Sequence, residues 1–192
     1  MIDPTKITNY NRTEAELEEF LMFAILVAGK TAKTQAQKLH NFIRPYSVVK
    51  STPFEGLQHL IDIGALVTQM KYSRLGQYTR IAEAFRGILQ FKGKLKHVSV
   101  EELESVKGIG PKTARFFILH SRRNVQHAVL DTHILKWLAK ETRIGMPKST
   151  PSGKKYAEIE QLFLTEARIR GVSPADLDLQ IWKSFSQKAL AQ

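Results

Sequence analysis

At 192 residues, with 43% hydrophobic and 24% charged side chains, the chain is long enough for one compact body of two lobes and too short for two independent large domains, and this composition argues against extended disorder. Its 29 Lys and Arg against 18 Asp and Glu leave a net charge of +11, which points to a polyanionic partner, nucleic acid first. The absence of cysteine excludes disulfides, thiolate zinc sites and a cysteine-held iron–sulfur cluster.

From the N-terminus, Met1-Ile-Asp-Pro-Thr5 lacks the charged-then-apolar order of a secretory signal, and no apolar run approaches the ~18 residues of a membrane span. The expectation is a soluble, unprocessed protein of the cell interior, in the cytoplasm or nucleoid, with no membrane partner. A Ser or Thr followed three residues later by an acid or amide marks a helix start, and Thr13 with Glu16 is the first such pair. Leu17, Phe20, Leu21, Ala24 and Ile25 then recur at helical spacing. Thr34 with Gln37 predicts the next start, and Thr52 with Glu55 a third, where Pro53 takes the first-turn place that costs no hydrogen bond.

Residues 61–72 carry the only trace of strand character, with poor alternation. Ile81, Phe85, Ile88 and Leu89 restore the helical period, and a loop is expected around 91–97. Ser99 with Glu102 opens a short helix over about 101–106 that stops at Lys107-Gly108, and a new helix begins near Pro111. Beyond Asp131 a further helix runs through Leu138, then 143–153 reads as a crossing loop rich in Gly, Pro, Ser and Lys. Stripes over 162–169 and 177–185, the latter after Ser173-Pro174, complete an all-α fold of about nine or ten helices.

The run Gly108-Ile109-Gly110-Pro111-Lys112-Thr113 between two helices is a helix-hairpin-helix. Glycines two apart allow a tight turn and close backbone approach. The free N–H groups and partial positive charge at the second helix's start can hold a phosphate oxygen without reading base sequence. Lys107 adds a point charge beside it, and Arg115, Arg122, Arg123, Lys148, Lys154 and Lys155 extend a basic face. Asp131 follows Lys112 by 131 − 112 = 19 residues at the head of Asp131-Thr-His-Ile134. A lysine becomes a nucleophile when burial beside other cations lowers its pKa, and a carboxylate can take its proton or stabilise positive charge on a sugar. Taken singly, Lys112 also reads as a phosphate contact and Asp131 as a helix cap.

The segments VKGIGPKTARFF (106–117) and HAVLDTHILKWLA (127–139) resemble the helix-hairpin-helix DNA glycosylases, in particular the endonuclease III and 8-oxoguanine glycosylase branches. FLMFAILVAGKTAKTQAQKL (20–39), GQYTRIAEAF (76–85) and ADLDLQIWKSF (175–185) are similar to other parts of the same family. The resemblance implies one unit over 1–192, with a central helical lobe over about 18–125 that contains the hairpin 101–120. A second lobe is made of 1–17 and 126–192, and the active site lies in the cleft between them.

It implies a bifunctional glycosylase and AP lyase of base excision repair, with Lys112 attacking the deoxyribose and Asp131 assisting. The partner is damaged double-stranded DNA bound by a monomer. Gly29-Lys30-Thr31 and Leu75-Gly76-Gln77-Tyr78 face the gap left by the flipped nucleotide, Gln77 being the preferred wedge with Leu75 and Tyr78 beside it. The hairpin residues Lys107, Gly108, Ile109, Gly110 and Thr113 hold the DNA. Phe116, Trp137, Trp182 and Phe185 are the candidate walls of the base pocket.

No cofactor is required and no histidine has metal-ligand spacing, so no catalytic metal is expected, although the family's hairpin carbonyls can hold a monovalent cation. His133 carries no assigned role. Three departures stand out: Gly29 where many relatives have glutamine, Lys107 where proline is common, and no four-cysteine cluster loop. The preferred base is an oxidised one, 8-oxoguanine ahead of oxidised pyrimidines. A monofunctional glycosylase using only Asp131 and a non-catalytic DNA-binding module are the alternatives.

Overall fold

Thr13 opens the first long helix with a reciprocal cap: its hydroxyl accepts from the Glu16 N–H at 3.3 Å, and Glu16 Oε2 accepts from the Thr13 N–H at 2.7 Å. In this computed structural model, which describes residues 1–28, 30–47 and 52–190, ten α-helices follow one another. They are α1 (Glu14–Val27), α2 (Ala32–Ser47), α3 (Pro53–Asp62), α4 (Leu66–Tyr72), α5 (Tyr78–Ile88), α6 (Val100–Glu104), α7 (Pro111–Ser121), α8 (Thr132–Thr142), α9 (Gly153–Ile169) and α10 (Pro174–Leu190). The described residues contain no strand, in keeping with the all-α expectation.

Thr52, Ser99 and Ser173 cap α3, α6 and α10 as their sequence patterns predict. Thr34 does not cap α2. The helix already starts at Ala32, where the Gln35 N–H bonds the Thr31 carbonyl at 3.0 Å, so Thr34 lies inside the first turn among good helix formers. The stretch 61–72 forms the end of α3, a turn over 63–65 and α4, from which Leu66 and Met70, four residues apart, both turn inward.

Nine of the fourteen residues of α1 are buried, namely Leu17, Glu18 and the unbroken run from Phe20 to Leu26, so this helix is enclosed on nearly every side. It packs against α2, α3, α5 and α7 and forms the axis of the larger apolar cluster, which runs from Ile2 to Ile118. A second cluster, from Ala128 to Ile181, joins α8, α9 and α10. The N-terminal arm contributes Ile2 and Ile7 to the larger cluster.

Arg12 explains the arm's place. Its guanidinium, buried over the Phe20 ring with Cζ 3.9 Å from the centroid, donates to the carbonyls of Ile7, Asn9 and His120. Burial pulls its pKa down to about 10. The arm also reaches toward the second cluster. Thr8 Oγ1 lies 2.8 Å from His120 Nδ1, and His120 Nε2 lies 3.1 Å from Asp178 Oδ2 on α10.

Candidate active site

The hairpin between α6 and α7 is docked onto α5. Gly108 has φ +95, and a β-carbon there would come within 2.7 Å of the Arg80 carbonyl oxygen, so only glycine fits. Arg80 answers with its side chain, donating from Nη1 to the Gly108 carbonyl at 2.9 Å and from Nη2 to the Ile25 carbonyl at 3.1 Å. Gly110 then stands at the N-cap of α7 without a side-chain cap, and Pro111 opens the helix. Lys112, the second residue of α7, is half-buried.

Asp131 caps α8. Its Oδ1 accepts from the His133 N–H at 2.8 Å and the Ile134 N–H at 2.9 Å, fixing the carboxylate at the helix start. Lys112 and Asp131 face one cleft of about 1000 Å³ between the two clusters. Gly108, Gly110, Thr113, Lys30, Thr31 and Gln77 also line it, so eight of the sequence-predicted site residues share one cavity.

The other expected site residues fall elsewhere. Leu75 is 0% exposed: Arg74, at φ 54, turns the chain so that the leucine side chain enters the core, and a wedge role is ruled out for it. Its carbonyl does face the site, accepting from Lys30 Nζ at 2.8 Å. Ile109 is buried and its N–H bonds the Val106 carbonyl at 3.0 Å, so neither its side chain nor its N–H is offered to a phosphate. Tyr78 packs half-buried against the larger cluster. Lys107 projects into solvent and pairs with Glu83 at 2.7 Å. Gly29 lies outside the described residues.

Among Leu75, Gly76, Gln77 and Tyr78, Gln77 is the exposed residue. It adopts left-handed backbone angles (φ 45, ψ 44), and its Oε1 accepts from Arg80 Nε at 2.9 Å and Nη2 at 2.7 Å. Lys30 carries a pKa below its ordinary range, through burial first and then the charges of Lys38 and Arg80. Of the four candidate aromatic walls, Phe116 and Trp182 line the cleft, joined by Phe23. Trp137 packs edge-on against Phe163, and Phe185 against the His133 ring.

Sequence reasoning missed Arg80, His120 and Asp178. Asp178, 8% exposed, borders the cleft from α10 with its carboxylate on His120. Its partners lie far away in the chain, so no local pattern announces it. Among the described residues no group of His, Asp and Glu is placed to hold a metal ion, and no helix is long and apolar enough to cross a membrane.

Residues 2–170 match the family model described as 8-oxoguanine DNA glycosylase. Over 191 residues the chain is 30% identical to the 8-oxoguanine DNA glycosylase/AP lyase of Methanocaldococcus jannaschii, covering 94% of this chain and 85% of that protein. The fold is similar to the crystal structure of the 8-oxoguanine DNA glycosylase of Thermotoga maritima, with a TM-score of 0.66, 24% identity, and coverage of 88% and 79% of the two chains. It is likewise similar to the Methanocaldococcus jannaschii 8-oxoguanine glycosylase/lyase in complex with a 15mer DNA containing 8-oxoguanine. There the TM-score is 0.66 at 25% identity, over 90% of this chain and 81% of that one.

Proposed function

We infer the function from one premise: the chain belongs to the 8-oxoguanine DNA glycosylase family. It is a DNA N-glycosylase with AP lyase activity, and the base we assign to it is 8-oxoguanine in double-stranded DNA. The observation that carries the residue assignment is that Lys112 and Asp131 face one cleft, each at the start of a helix. Both come from the same chain, so one copy suffices for the chemistry.

In this reading the phosphate backbone is held by the uncapped N–H groups at the start of α7 and by the basic residues around them. The target nucleotide rotates into the cleft, where Phe23, Phe116 and Trp182 supply apolar walls, and Gln77 fills the gap it leaves. The Lys112 amine forms a bond to C1′ as the bond to the base breaks, and the base departs with a proton. With Oδ1 held by the cap, Asp131 Oδ2 is the oxygen that takes the amine proton. The Schiff base that follows ring opening acidifies C2′, and loss of that proton expels the 3′ phosphate oxygen.

A monovalent cation at the hairpin would be held by hairpin carbonyl oxygens, of which that of Val106 accepts from the Ile109 N–H and that of Gly108 from Arg80. No step above passes through such an ion.

Borohydride trapping on duplexes carrying 8-oxoguanine, thymine glycol, uracil or an abasic site tests this reading. The expected result is a covalent adduct with 8-oxoguanine and abasic DNA that vanishes in Lys112→Gln while DNA binding survives. Base release without any trapped adduct would instead assign a monofunctional enzyme, and neither release nor trapping a binding module.

A further inference from the structure

Lys112 and Asp131 belong to different helices, and a single carboxylate oxygen joins the elements that carry them. Glu160 on α9 is 7% exposed, and its Oε1 accepts from Arg115 Nε at 2.9 Å and from the Ala128 N–H at 2.9 Å. Arg115 lies one turn beyond Lys112 on α7, and Ala128 lies three residues before Asp131. His127 Nδ1 stands 3.4 Å from the same oxygen without the alignment of a hydrogen bond.

One turn before Glu160, Tyr156 is 1% exposed and holds the same segment from below. Its hydroxyl donates to the Ala128 carbonyl at 2.7 Å and accepts from the Leu130 N–H at 3.2 Å. Thr150 Oγ1 donates to the Leu130 carbonyl at 2.9 Å. The Arg115 guanidinium lies over the Tyr156 ring, with Cζ 4.3 Å from its centroid, and also pairs with Glu104 on α6.

The pattern is that of a strand edge whose partner strand has been replaced by side chains. Residues 125–130 belong to no helix, so no backbone ladder fixes them. Alternate residues of an extended chain turn their N–H and C=O groups to the same side, and here both groups of Ala128 and both of Leu130 are taken by Glu160, Tyr156 and Thr150. The next residue is Asp131, whose N–H closes a tight turn onto the Val129 carbonyl at 2.7 Å.

We propose that Tyr156 and Glu160 are positioning residues for the excision reaction, clamping the segment that delivers Asp131 to the helix that carries Lys112. The proposal rests on the reading of Lys112 and Asp131 as the reacting pair. Neither positioning residue touches the sugar or the base; each acts through the 128–130 backbone. Misplacement of a reacting group by an ångström costs on the order of 100-fold in rate, so loosening this clamp slows chemistry without weakening DNA binding.

Tyr156→Phe keeps the ring beneath Arg115 and removes the hydroxyl from Ala128 and Leu130. Glu160→Gln keeps an acceptor oxygen and removes the charge that holds Arg115. Single-turnover borohydride trapping on abasic DNA gives a rate constant and an amplitude separately, and binding to DNA carrying a tetrahydrofuran site gives affinity. The expected result for Tyr156→Phe is a rate constant lower by about 10- to 100-fold at full amplitude, with unchanged affinity. A reduced amplitude at the wild-type rate constant would mean that the hydroxyl serves folding alone, and would overturn the proposal.

If Tyr156→Phe does not fold, Glu160→Gln and Thr150→Val take its place, and wild-type rate constants in both overturn it equally. Lys112→Gln is measured alongside. Trapping that persists in Lys112→Gln sinks the reacting pair and the clamp together, whereas its loss beside an unaffected Tyr156→Phe sinks the clamp alone.

Discussion

Arg80 donates to the carbonyl oxygen of Gly108 at 2.9 Å, while its own carbonyl oxygen lies 2.7 Å from where a Gly108 β-carbon would sit. The helix that follows the Gln77 loop is thereby fastened to the hairpin that presents Lys112. Gly108→Ala must pay for a positive φ, about 1 to 3 kcal/mol, and must also push the hairpin off α5. Gly64→Ala is the control, because Gly64 also has positive φ, +69, with no atom near the added carbon. Denaturant unfolding should show the larger loss for Gly108→Ala, and only that variant should lose DNA affinity. Equal losses in both measurements would deny the hairpin–α5 contact any role.

Leu75 and Gln77 sit two residues apart and should separate stability from activity. Leu75 is wholly buried, so Leu75→Ala leaves a cavity and costs about 2 to 5 kcal/mol. Gln77 is exposed in the cleft wall, and Gln77→Ala should shift stability by less than about 1 kcal/mol while lowering 8-oxoguanine excision from duplex DNA. An 8-oxoguanine facing an abasic site in the opposite strand is unpaired and easier to extrude, so the loss should be smaller there. Equal excision by Gln77→Ala and the wild type on the intact duplex would remove Gln77 from the wedge role.

These contrasts mark where the sequence was legible. The caps by Thr13, Thr52 and Ser99 were readable because donor and acceptor are three residues apart on one turn. Thr34 matched the same pattern and failed, since a polar pair at that spacing also occurs on the solvent face of a helix already begun at Ala32. The loop holding Leu75 and Gln77 was identified, but which side chain faces the cleft depends on the left-handed turns at Arg74, Gly76 and Gln77. Tyr156 and Glu160 precede the 162–169 stripe and drew no assignment, because their hydrogen-bond partners lie 26 to 45 residues away, beyond any local pattern.

Lys107 joins two effects that salt can separate. Its ion pair with Glu83 is short, 2.7 Å, yet the lysine side chain is 80% exposed, and such surface pairs contribute at most about 1 kcal/mol. Lys107→Gln should leave unfolding nearly unchanged. If Lys107 neutralises a phosphate beside the hairpin, the slope of log affinity against log salt should shrink by about 0.9 for B-DNA. An unchanged slope would place this lysine outside the DNA footprint and leave it as a partner of Glu83 alone.

Two buried glutamates should respond to pH in opposite senses. Burial pushes the Glu18 carboxyl up, and its bond from the Phe54 N–H only partly offsets that. A raised carboxyl pKa means that this group's contribution to stability is fullest below the ordinary value of about 4.3 and is lost as pH rises through the folded value. Burial also acts upward on Glu160, but His127, the Ala128 N–H and the Arg115 guanidinium outweigh it and hold the carboxyl below its usual range. Its contribution is therefore present above the ordinary value and is lost as pH falls through the folded one. Glutamine titrates at neither position and can still accept the same backbone hydrogen bonds. Unfolding free energies measured between about pH 2.5 and about pH 7 should show Glu18→Gln gaining on the wild type as pH rises above the ordinary carboxyl value, and Glu160→Gln falling behind it as pH rises toward that value. Parallel curves for Glu160→Gln and the wild type would mean that the carboxylate is not held by Arg115 in solution, and the bridge between α7 and the Asp131 segment would then rest on Tyr156.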